Sequence, residues 1–108
     1  MRRLLPALTG AALALSLLAP AHAAGNAEEG AVLAFTCAGC HGIPEYRNAY
    51  PSYHVPKIAG QNEAYLVNAL KAYKNGDRRH PTMTAQASSF SDQDIADLAA
   101  YFAARKAQ

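Results

Sequence analysis

The chain has 108 residues, 51% of them hydrophobic, with ten Lys and Arg against eight Asp and Glu for a formal net charge of +2. That length accommodates one domain of ordinary size. The small positive excess is carried by Arg2 and Arg3, and the remaining charges balance, so no sequence-wide basic character points to nucleic acid or an anionic membrane as a partner. In chain order, the basic start Met1-Arg2-Arg3, the apolar run Leu4 to Leu18 and the small residues of Ala21-His22-Ala23 read as a cleaved secretory signal over residues 1–23. A permanent anchor wants about twenty apolar residues, and Pro6, Thr9, Gly10 and Pro20 make this stretch a poor one. The first cysteine is Cys37, too late for lipid attachment at the cleavage point. The expected product is a single domain over residues 24–108, exported to the periplasm and soluble there, with no stable membrane insertion.

Three helices are expected in that domain, and the class is all-α. Asn26 followed by Glu29 resembles a capping box, and Ala27, Ala31, Ala34 and Phe35 then share one face. A second helix begins at Asn62 with the apolar stripe Tyr65, Leu66, Ala69, Leu70 and Tyr73, and Asn75-Gly76 stops it with a residue suited to a left-handed cap. The third opens at Ser91-Asp92-Gln93-Asp94, where a cap and two acids favour the positive end of the helix dipole, and it places Ile95, Leu98, Ala99 and Phe102 on one face. Between them, residues 42–60 carry three prolines and three tyrosines (Tyr46, Tyr50, Tyr53) and read as an ordered loop, and residues 76–89 read as a second irregular stretch.

The chemistry is concentrated in Cys37-Ala38-Gly39-Cys40-His41. Residues three apart share a helix face, so both thiols reach the two vinyl edges of one porphyrin, and the adjoining imidazole lies under the iron. This is the attachment pattern of a c-type haem. A Cys-x-x-Cys pair also serves thioredoxin-like redox proteins and half zinc sites, but no βαβ context and no second ligand pair accompany it here. A plain disulfide is the remaining alternative and would leave the chain without haem. A domain this small gains from such a covalent staple, because its hydrophobic core alone is marginal.

With the leader removed, Met83 is the only thioether, lying in a polar stretch two residues after Pro81. A core methionine usually fills gaps; in this setting a second axial ligand is the favoured reading, with His80 and His54 as competitors. The basic run Lys71, Lys74, Arg78 and Arg79 either steers an acidic partner, holds a haem propionate, or is the wet face of a helix.

The motif, together with Val55-Pro56-Lys57-Ile58-Ala59-Gly60-Gln61, His80-Pro81-Thr82-Met83 and the segment Ser91 to Phe102, resembles small class I c-type cytochromes of the bacterial cytochrome c4 and c553-like group. Cytochromes of the c4 type carry two haem domains in tandem, and this chain, with one motif, is similar to one half. The resemblance implies a small cytochrome c fold, three main helices around one haem c bound through Cys37 and Cys40. It implies His41 and Met83 as iron ligands, the Pro56 carbonyl as acceptor for the His41 ring N–H, Ile58 packed on the haem, and Gly60 close to it. Gly30 would meet Tyr101 or Phe102 where the first and last helices cross. The implied function is an electron-transfer protein of the respiratory chain type, not an enzyme and without catalytic residues, moving single electrons between membrane or periplasmic oxidoreductases. The alternatives are an electron-entry subunit of a dehydrogenase or oxidase, and a ligand-binding or peroxidatic haem protein with a labile Met83.

Overall fold

The computed structural model describes residues 24–107, so the secretory signal expected over residues 1–23 lies outside the described residues. Five helices follow in order: α1 Ala27–Leu33, α2 Phe35–His41, α3 Glu63–Asn75, α4 Pro81–Ser88 and α5 Asp92–Ala104. Among the described residues there is no strand, and a single antiparallel bridge, Arg47 to His54, closes the long loop on itself. The class is all-α, as the sequence predicts.

α3 and α5 form where their end signals stand. The Asn62 side chain accepts from the Tyr65 amide at 3.0 Å, and Gly76 ends α3 in the left-handed conformation at φ 84°. Ser91 and Asp94 form a reciprocal capping box at the start of α5. α5 is the central element, with Ile95, Leu98, Ala99 and Phe102 all buried. Leu98, Ala99 and Phe102 join Leu66 of α3 and Ala34 at the end of α1 in one core.

The N-terminal helix departs from expectation in two ways. Ala34 interrupts it with an αR turn, so the apolar stripe shifts phase: Gly30 and Ala34 turn inward, and Phe35 is 86% exposed. The Asn26 side chain does cap α1, but its own amide donates to Asp97 Oδ1 at 2.7 Å, so a distant carboxylate replaces the expected Glu29. Asp97 is buried and also accepts from Gln93 Nε2 at 2.8 Å. Removing that acceptor breaks two hydrogen bonds to a buried carboxylate, of a kind worth about 1–3 kcal/mol. Asp97→Ala should therefore lower the midpoint of thermal unfolding by roughly 5–15 °C in a domain of this size, and Asp97→Asn, which keeps an acceptor, should recover part of the loss.

The stretch expected to be irregular, residues 76–89, contains α4. His80 is extended at φ −162°, Pro81 takes the first helical position, where its missing N–H costs nothing, and the His80 side chain accepts from the Met83 amide. Met83 and Ala87 are the only apolar pair in helical register facing inward, and eight residues with so little amphipathic contrast carry almost no periodic signal.

Candidate functional site

α2 brings its three reactive side chains to one side of the molecule. Cys37 and Cys40 are free thiols, the first half-buried and the second exposed, and burial pushes the Cys37 thiol up from its ordinary pKa, partly opposed by a hydrogen bond from Thr36. One residue on, the His41 ring Nδ1 lies 2.7 Å from the carbonyl oxygen of Pro56. A carbonyl only accepts, so Nδ1 carries the proton and Nε2 keeps its lone pair. The ring is thereby held in the tautomer that leaves one bare nitrogen for a metal.

These groups line a cleft of about 370 Å³. Its walls come from α2, the loop over 46–61, α3, the first turn of α4 and the inner face of α5. Cys37, Cys40, His41, Pro56, Ile58 and Met83 all border it, although they span 47 residues of sequence from first to last. Ile58 is half-buried against the core, beside Leu66, Leu70 and Leu98 in the apolar part of the wall. The volume lies within the range of small-molecule sites, about 300–1,000 Å³.

Both imidazoles that compete with Met83 are already engaged. His80 Nδ1 accepts from the Met83 amide at 3.3 Å, which puts the proton of the neutral ring on Nε2. His54 Nε2 takes a hydrogen bond from the Arg47 guanidinium. Each ring thus has one nitrogen engaged, and His54, His80 and Met83 all border the cleft.

The tyrosines divide. Tyr46 and Tyr53 line the cleft, and Tyr50 is 94% exposed. Tyr65 and Tyr73, which the sequence places in the α3 core stripe, also line it and hold Arg78: the guanidinium donates to Tyr65 Oη at 3.4 Å and lies 4.8 Å from the centre of the Tyr73 ring. The spacing of eight that puts both rings on one face of α3 was visible; that Arg78 folds back over them was not, because it depends on the left-handed turn at Gly76. Elsewhere in the basic run, Lys74 Nζ donates to the Phe90 carbonyl, Lys71 lies 3.9 Å from Asp92, and Arg79 is exposed. Gly60 adopts the left-handed conformation at φ 77°, which favours glycine, its amide donates to the Phe102 carbonyl at 2.8 Å, and an added Cβ would press on the Ala107 backbone.

Two thiols at helical spacing, an imidazole oriented by a carbonyl, and an apolar cleft facing all three form a haem-attachment site. The donor set suits the group: sulfur and neutral nitrogen for iron, thiols for the vinyl edges, hydrocarbon for the ring faces.

Comparison with known proteins agrees. The family model described as Cytochrome c matches residues 27–105. The chain is 44% identical to cytochrome c4 of Pseudomonas aeruginosa over 87% of its own length and 45% of that protein's. It is 38% identical to cytochrome c-554(548) of Halomonas halodenitrificans over 77% of its length and 100% of the relative's, and 36% identical to a cytochrome c-553 of Helicobacter pylori over 82% and 90%. The chain spans about half the length of the cytochromes c4 it matches. It belongs to the cytochrome c family, as a class I c-type cytochrome resembling the c4 and c553 groups. Membership implies covalently bound haem c, for which Cys37 and Cys40 are the chain's only cysteines.

Proposed function

We propose that this chain is a soluble periplasmic monohaem cytochrome c that carries single electrons between respiratory or periplasmic redox proteins, with His41 and Met83 as the iron ligands. Residues 1–23 are its secretory signal, and residues 24–108 hold a cytochrome c domain. The observation that carries the reading is the shared cleft, which both His41, with a bare Nε2, and Met83 border, while His54 and His80 each have one ring nitrogen in a hydrogen bond. Among the described residues no helix is long and apolar enough to cross a membrane.

Bound haem would supply the one-electron couple. The protein's part is to hold a ligand shell that changes little between the two oxidation states. Pro56 fixes the His41 ring, α4 fixes Met83, and Ile58, Leu66 and Leu98 keep water from the ring face. The thioether also favours the ferrous state over an imidazole in the same position, which raises the potential.

The test is the absorption spectrum of the exported protein in its ferric and ferrous forms, beside Met83→Ala. Wild type should show the weak far-red ferric band of sulfur on iron and little carbon monoxide uptake when reduced. Met83→Ala should lose the band, fall in potential, and bind carbon monoxide more than about tenfold more tightly, because the open state is no longer rare. A band that survives in Met83→Ala overturns the ligand assignment. Tight carbon monoxide binding by wild type would favour a ligand-binding haem protein, and persistent co-purification with a larger oxidoreductase would favour an electron-entry subunit.

A further inference from the structure

The start of α4 is built in an unusual way. The first amides of a helix lack intrahelical partners, and the side chains that serve best as caps are Asn, Asp, Ser and Thr. Here the cap is a histidine, His80, whose Nδ1 accepts from the Met83 amide at 3.3 Å. A serine in that position would satisfy the same amide, but it has no ring. The His80 ring is gripped edge-on by two others: Tyr53 from the long loop, with centroids 5.4 Å apart and planes at 87°, and Tyr73 from α3, at 6.4 Å and 74°. Both tyrosines line the same cleft as Met83.

One side chain therefore ties the backbone of Met83 to two other walls of the cleft. Pro81 adds to this by fixing the entry angle of the turn and leaving Thr82 and Met83 as the first amides in need of partners. We propose that His80 is a positioning residue for Met83, its Nδ1 holding the first turn of α4 so that the thioether stays directed at the cleft. This rests on Met83 being the axial ligand. It gives His80 a role other than ligation, and it explains why a ring stands at a cap: the acceptor holds Met83, and the two tyrosines hold the acceptor.

The consequence is read at the iron. A looser first turn raises the fraction of molecules in which Met83 is detached, and the apparent affinity of the reduced protein for carbon monoxide rises by the same factor. Caps of this type change helix equilibria enough to predict an increase of about fivefold in haem-loaded His80→Ala, with a weakened far-red ferric band. His80→Asn restores an acceptor without the ring, so it should stay within about twofold of wild type. The experiment is carbon monoxide titration of the reduced holoproteins together with their ferric spectra, with Met83→Ala as reference. Wild-type behaviour in His80→Ala, or an Asn variant no better than Ala, overturns the proposal provided Met83→Ala has lost its far-red band. If Met83→Ala keeps that band, the ligand assignment itself has failed, and the inference about His80 falls with it.

Discussion

Gly30→Ala is expected to destabilise the protein by about 3 kcal/mol, although helix propensity alone would favour the change. In an open helix interior, alanine is better than glycine by about 1 kcal/mol. At this site a Cβ would stand 2.0 Å from the carbonyl oxygen of Asp97 and 2.8 Å from the Tyr101 Cβ. Neither atom is the end of a flexible side chain, so relief requires α1 and α5 to separate. Separation also pulls the Asn26 amide from the buried Asp97 carboxylate, which adds a hydrogen-bond loss to the steric one. Thermal unfolding of the haem-loaded protein is the measurement, and a midpoint equal to or above wild type would show that the two helices slide past each other at little cost. The contact also settles the helix crossing: Gly30 meets Tyr101 and the Asp97 backbone.

The elements that could be read in the sequence are those with local chemistry at their ends. Asn62, Gly76, Ser91 and Asp94 each act within four residues of themselves, and α3 and α5 lie where these residues put them. The haem motif is equally local, because its function depends on one turn of helix. What was not legible depends on partners far away in sequence. Phe35 reads as core until the turn at Ala34 rotates it outward, and Asn26 reads as half of a capping box until Asp97, 71 residues on, takes its amide. α4 was missed because its cap is a histidine, outside the usual set, and its inward face is two residues wide. The meeting of His41 with Pro56 was anticipated through resemblance and not through periodicity, since nothing local to either residue announces a contact across 15 positions.

The same distinction bears on Leu98, which belongs both to the core and to the cleft. Ile95 and Leu98 are the largest fully buried side chains among the described residues, at 0% and 1% exposure, and Leu98 lines the cleft whereas Ile95 does not. Truncating either to alanine should cost about 2–5 kcal/mol, a large share of the stability available to so small a domain. The two losses differ in where the void opens. Ile95→Ala leaves its cavity within the helix packing, so the melting midpoint should fall while the far-red ferric band and carbon monoxide affinity hold. Leu98→Ala opens its cavity onto the cleft, where water can enter, so stability and the iron readouts should move together. In a haem-free form, with Cys37 and Cys40 both replaced by alanine, the cleft has no haem to cover its apolar lining, and adding Leu98→Ala should abolish cooperative unfolding as followed by circular dichroism. If Ile95→Ala and Leu98→Ala shift the carbon monoxide affinity equally, the cleft wall and the helix core behave as one unit, and Leu98 has no separate part in keeping the haem site closed.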